Sequence, residues 1–140
     1  MDGEAREVPA GQKHEAIGIQ VTVLLKPHAR GHGVLAGSQA GFRMTTGNIR
    51  SPDVSFTRKE RMPNGQPSKG FEDFAPDLAV EIISPSEQPD EMVRKVAEYF
   101  GVGAEQVWHL FPDARRVMVY YSPIDLPGFS CRAEELFDLE

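Results

Sequence analysis

A chain of 140 residues, with hydrophobic residues at 40% and charged residues at 26%, has the composition of one ordinary globular domain able to build its own core. No apolar run reaches the length of a membrane span, residues 1–10 lack a secretory hydrophobic stretch, and the single cysteine, Cys131, excludes an internal disulfide and any zinc site built on cysteine pairs, so a reducing cytoplasm is expected. A formal net charge of −6 argues against a protein that coats nucleic acid by general basicity; a catalytic cleft needs only local positive charge. Arg58-Lys59-Glu60-Arg61, Arg94-Lys95 and Arg115-Arg116 offer such patches, and each also reads as solvated surface.

In chain order, residues 3–8 read as a short strand stopped by Pro9-Ala10-Gly11. Residues 13–26 read as a helix, because Ile17, Val21, Leu24 and His28 keep helical spacing and Pro27 with Gly31 ends it. Its β-branched residues (Ile17, Ile19, Val21, Thr22, Val23) oppose that reading. Residues 33–36 and 41–44 read as short strands, 45–51 as a loop and 53–57 as a strand. Residues 58–75 hold Pro63, Asn64, Gly65, Pro67 and Gly70 and read as a long exposed loop. Residues 77–83 are apolar on both faces, as a covered central strand is. Residues 90–100 form a helix with Val93, Val96, Ala97 and Phe100 as its core face, stopped by Gly101 and Gly103. Strands at 106–111 and 116–121 flank a Pro112-Asp113-Ala114-Arg115 turn, Trp108 reads as core, and residues 133–137 close the chain as a short helix. Interleaved strands and helices define an α/β or α+β class with a mixed central sheet.

Asp53 and Glu81 each interrupt an apolar strand-like run, where an uncompensated carboxylate is costly. Alternate strand residues share a face. Asp77, Ala79, Glu81 and Ile83 therefore lie together, with the small Ala79 leaving space, and Asp53, Ser55 and Thr57 form the polar face of their strand while Val54 and Phe56 point to the core. If the strands are neighbours, Asp53 and Glu81 can share one magnesium-type cation, which takes one or two carboxylates plus waters and a substrate phosphate. The Ile82 carbonyl is a third candidate oxygen. Lys95 can hold a phosphate oxygen or the attacking water, yet spacing puts Lys95 and Tyr99 on a stripe nearly opposite the helix's core face, where a lysine is solvated. The plainer alternatives are Asp53 as a turn residue after Pro52, Asp77 as a strand-entry residue and Glu81 paired to an arginine. Ser84-Pro85-Ser86 either lines the same cleft or leads into a helix cap at Ser86 or Asp90. Glu15, after His14, is a further metal or water ligand or a solvent-facing acid of the first helical turn. His28 and His32 stand four apart, but Pro27, Gly31 and Gly33 break the helix that zinc spacing requires. Gly31-His32-Gly33 lacks the spacing of a phosphate loop.

Four segments together carry a resemblance: Arg50-Ser51-Pro52-Asp53-Val54; Pro76-Asp77-Leu78-Ala79-Val80-Glu81-Ile82-Ile83-Ser84-Pro85-Ser86; Lys95-Val96-Ala97-Glu98-Tyr99-Phe100-Gly101-Val102; and Val107-Trp108. They resemble the Uma-two family, grouped with restriction endonucleases in the PD-(D/E)XK nuclease superfamily. Leu126-Pro127-Gly128-Phe129-Ser130 and Glu135-Leu136-Phe137 are similar to that family's C-terminal signature. The resemblance implies a restriction-endonuclease-like mixed sheet flanked by helices, with Asp53 and Glu81 as the metal-binding acids. The superfamily lysine normally stands two residues after the glutamate, a position held here by Ile83, and in this family its role passes to the helix lysine, Lys95. A leading segment of the family is expected to be absent before Met1, and the region between Tyr121 and Leu126 is short.

The expected activity is therefore a magnesium- or manganese-dependent endonuclease acting on nucleic acid, in the first place DNA. Asp53, Glu81 and Lys95 carry it, and Asp77 and Glu15 are auxiliary candidates. The alternative is a catalytically inactive nuclease-like binding or assembly module. A hydrolase of small phosphoesters is less suited, since no phosphate-binding loop is present. Exposed edges in a small domain make a homodimer an expectation.

Overall fold

The structure, a computed structural model, describes residues 11–122, 129–132, 134–137 and 139. The strand expected at residues 3–8 lies outside them. The elements run α1 (Gln12–Ala29), β1 (Gly33–Ala36), β2 (Phe42–Arg43), β3 (Ile49–Arg50), β4 (Val54–Arg58), β5 (Leu78–Ile82), α2 (Pro89–Gly101), β6 (Gln106–Phe111), β7 (Arg116–Tyr120), β8 (Phe129–Arg132) and α3 (Glu134–Phe137). Six strands form one sheet in the order β1-β4-β5-β6-β7-β8, and β2 with β3 makes a separate ribbon. Among the described residues of the large sheet only β5 and β6 pair in parallel, with α2 as their crossover; its other pairs are antiparallel. The mixed α/β sheet flanked by helices is the expected class.

Two cores explain why the central strands are apolar on both faces. Toward α1, Val54, Val80, Ile82, Leu110, Val117 and Val119 pack with Ile17 and Val21 of α1 and Phe137 of α3. Toward α2, Ala79 and Val107 pack with Val96, Tyr99 and Ala104, and with Phe42, Met44 and Ala75 from the ribbon side. The polar face expected on β4 is thus covered: Ser55 and Thr57 are as buried as Val54.

Local signals and the structure part company in four places. Helix α1 runs past Pro27 to Ala29, closed by the Arg30 N–H on the Lys26 carbonyl. Burial of Ile17 and Val21 outweighs the weak helix propensity of its β-branched residues. The inward face of α2 agrees with the expected one at Val96 and Phe100, which pack in the core beside it, and departs from it elsewhere. Val93 is 68% exposed and Ala97 is exposed, while Val96 and Tyr99 are buried and Lys95 is half-buried. The helix turns a polar-tipped stripe inward because that stripe meets polar groups on β5. The loop at 58–75 contains two 3₁₀ turns, at Lys59–Arg61 and Pro63–Gly65, the second with Asn64 and Gly65 at positive φ. Strands β3 and β8 were not legible as strands. The first is two residues long, and the second pairs at the sheet edge with β7.

Candidate active site at the β4–β5 junction

The antiparallel register of β4 and β5 pairs Val54 with Val80 and Ser55 with Ala79. One step further along the same ladder, Asp53 stands across from Glu81. Two carboxylates 28 positions apart in sequence thereby reach one point beside the carboxyl end of β5. Asp53 Oδ2 accepts a 2.7 Å hydrogen bond from the Ile82 N–H. Glu81 Oε2 accepts a 2.6 Å hydrogen bond from the Tyr99 hydroxyl, and Lys95 Nζ lies 3.9 Å from Glu81 Oε1. Both partners of Glu81 hang from the inward face of α2, one turn apart.

Arg50 fixes that helix. Its Nε lies 2.6 Å from Glu98 and its Nη1 2.9 Å from Glu91. These acids flank Lys95 along α2, so β3 grips the helix on either side of the lysine. The arginine partner that sequence reasoning offered as the plainer alternative for Glu81 is not what Glu81 meets: its partners are Tyr99 and Lys95.

The electrostatics show what the pair of acids lacks. Burial pushes the Glu81 carboxyl up to about 7, against the pull of Lys95 and the Tyr99 hydrogen bond, and Asp53 pushes it the same way. Burial also raises Asp53 above its ordinary range, although the Ile82 amide, His14 and Lys95 oppose it. His109 pairs with Glu81 across the parallel ladder. Burial, and then Lys95, lowers it to about 4, so the ring is neutral and returns no positive charge. Its ring packs edge-on against Tyr120 and Phe111. The half-buried Asp53 and the buried Glu81 have one lysine ammonium beside them, and a divalent cation would add the positive charge that keeps both ionised. The donor set is two carboxylates of hard oxygen, which suits a magnesium-type ion completed by water and phosphate. Among the described residues no three or more His, Cys, Asp or Glu side chains form a cage for a metal.

Asp53, Glu81 and Lys95 are therefore brought together, with Ile82 beside them through its N–H. Asp77 is not. It begins the β5 segment four residues before Glu81, roughly 13 Å away along a strand. There its Oδ2 accepts the Arg58 N–H at 2.6 Å, and Arg61 Nη1 lies 3.2 Å from its Oδ1. Arg61 in turn lies over the Phe74 ring at 4.9 Å. Glu15 is exposed and reaches His14, whose Nδ1 lies 3.5 Å away, rather than Asp53. The Ser84 and Ser86 hydroxyls pair with each other at 3.1 Å, and α2 starts at Pro89 after Gln88, without a side-chain cap. Sequence reasoning missed His14 as a member of the group. Its Nε2 lies 3.5 Å from Asp53 Oδ1. No spacing signals this, since it depends on where the first turn of α1 crosses the end of β4. Tyr99 was placed on the stripe of Lys95 but given no partner.

A mixed sheet flanked by helices, with two acids meeting beside the end of a central strand and a helix lysine over them, defines a restriction-endonuclease-like nuclease fold. A profile of the Uma2 family, described as "Putative restriction endonuclease", matches residues 1–133, and the chain belongs to that family. Among solved structures, a protein described as a "putative nuclease belonging to DUF820" from Anabaena variabilis ATCC 29413 superposes with a TM-score of 0.73 at 21% identity. The match covers 94% of this chain and 83% of that one, and the likeness is one of fold. No curated protein gives a significant sequence match. Among the described residues no helix is long and apolar enough to cross a membrane.

Proposed function

We propose that this chain is a divalent-metal-dependent endonuclease that hydrolyses phosphodiester bonds in nucleic acid, in the first place DNA. The observation that carries this reading is the meeting of Asp53 and Glu81 across the β4–β5 ladder with Lys95 beside Glu81. Asp53 and Glu81 would hold magnesium or manganese, with the Ile82 carbonyl as a further oxygen. When bound, such an ion polarises the phosphoryl group and eases ionisation of water.

The remaining work falls to the chain's own groups. The Ile82 N–H and His14 orient the Asp53 carboxylate. Tyr99 orients Glu81 and, held neutral by burial and by the carboxylate, stays a hydrogen-bond donor. Lys95 offers its ammonium to a phosphate oxygen and to charge developing on it. Glu15 has a place only through His14.

The test is nicking of supercoiled plasmid with magnesium or manganese by the wild-type protein and by Glu81→Ala. Metal-dependent nicking lost in the variant supports the reading. Equal nicking by both removes Glu81 from the site. No nicking by either, together with no cation binding, leaves the nuclease-like binding or assembly module.

A further inference from the structure

A cavity of about 300 Å³ lies between the first turn of α1, the segment after β5 and the β6–β7 turn. Ile17, Ile82, Ile83, Phe111 and Pro112 supply its apolar walls. His14 also lines it and lies 3.5 Å from Asp53. Ile82, another wall residue, donates its N–H to the same carboxylate. The cavity and the acid pair are therefore contiguous through two shared residues. Both lie at the carboxyl ends of the parallel strands β5 and β6, where α/β sheets characteristically receive ligands. Lys13 and Asp113 stand at the rim, 4.0 Å apart and mostly exposed. So exposed a pair is weak, and a phosphate would displace the aspartate from Lys13 at little cost.

We propose that this cavity receives one unstacked nucleobase from the strand whose phosphodiester lies at Asp53 and Glu81, so that the preferred substrate is single-stranded or locally opened nucleic acid. The proposal rests on the nuclease reading above. A base has flat apolar faces and polar edges, matching apolar walls with His14, Ser84 and Asp113 around them. The volume is at the small end of ligand pockets, so it admits a single ring system and no segment of duplex. A base paired within a stack shows only its edges; to enter it must leave the stack, which costs least in a single strand. A chain of net charge −6 gains little from general attraction to the phosphate backbone. Stacking and apolar contact with the base are the alternative source of affinity, as in other single-strand binders.

The experiment titrates isotope-labelled wild-type protein with adenosine 5′-monophosphate and, separately, with ribose 5-phosphate, and follows backbone amide resonances. The nucleotide is expected to move the Ile83, Ser84 and Phe111 amides, ribose 5-phosphate is not, and Ser84→Trp, which fills the cavity, weakens the nucleotide response about tenfold or more. Equal effects of the two ligands, or nucleotide shifts confined to other surfaces, overturn the proposal; because this arm uses wild-type protein, it decides even if the variant fails to fold. In a second arm an abasic position is moved along a single-stranded oligonucleotide. One position next to the cut should lower kcat/KM about tenfold, and uniform cleavage of the whole series overturns the proposal. If no substrate is cut while the base-dependent shifts persist, the nuclease reading falls and the base cavity stands.

Discussion

The Tyr99 hydroxyl donates a 2.6 Å hydrogen bond to Glu81 Oε2, joining the inward face of α2 to the central strand β5 at a fully buried tyrosine. The bond stabilises the ionised carboxylate, the form that would hold a cation. Tyr99→Phe removes it and leaves a buried oxygen short of a partner, costing about 1–3 kcal/mol of stability. It also lifts the Glu81 carboxyl further, so the acidic limb of the activity–pH profile moves to higher pH. Cleavage rates measured from acidic to mildly alkaline pH check this. A fall in stability with the limb unmoved would make the tyrosine a packing residue only.

Glu81 also links stability to pH. Its carboxyl titrates near 4.5 in the unfolded chain and near 7 in the folded one. Between those values the metal-free folded protein holds more protons than the unfolded chain, so its stability falls as pH rises from about 4.5 to about 7, and the loss is complete above that. Glu81→Gln cannot ionise. It should stabilise the metal-free protein above pH 7 by an amount on the order of 1–3 kcal/mol and change little below pH 4.5. The raised Asp53 has the same sign, so some slope remains. Thermal unfolding in chelator across pH checks the prediction. Added magnesium should then raise the wild-type midpoint and not that of the variant.

Much of this site was legible in the sequence, for a physical reason. A carboxylate inside an apolar strand is expensive, so Asp53 and Glu81 stand out in their segments, and the period of two placed Asp77, Ala79 and Glu81 on one face. How these acids are grouped in space was not legible. That depends on the β4–β5 register, which sets Asp53 across from Glu81 and leaves Asp77 to the arginines. The inward face of α2 was read correctly at Val96 and Phe100 and misread at Val93 and Ala97, which look like core and are exposed. The helix instead turns inward Lys95 and Tyr99, residues whose partners lie on another element. Spacing counts apolar groups and is blind to a polar partner across a sheet. The same blindness hid His14, which meets Asp53 only through the packing of α1 on the sheet.

Replacing Lys95 tests whether cation binding and chemistry separate at the proposed site. This lysine lies 3.9 Å from Glu81 Oε1 and is the only lysine in contact with either acid among the described residues' ion pairs. Lys95→Met keeps the stem and removes the charge. Nicking should fall about a hundredfold or more, the usual effect of removing one preorganised donor from a transition state. Cation affinity, measured by calorimetry, should not weaken, because the ion and the lysine compete for the same carboxylate. A parallel loss of cation binding would instead make Lys95 a structural support of the acid pair.

Asp77 shares the strand and the face of Glu81, so removing it distinguishes the two roles a buried aspartate can hold. It accepts the Arg58 N–H and meets Arg61, which ties the Lys59–Arg61 turn to the start of β5. Asp77→Ala leaves the Arg58 amide without its acceptor and the half-buried Arg61 guanidinium without its ion-pair partner. That should cost about 2–3 kcal/mol, in the range of hydrogen bonds to charged groups, and destabilise in denaturant titration. Nicking per folded molecule and cation affinity should both stay near wild type, because the roughly 13 Å of strand between Asp77 and Glu81 carries no carboxylate to the cation. A cation affinity that falls tenfold in Asp77→Ala, with the fold intact, would return this aspartate to the metal site.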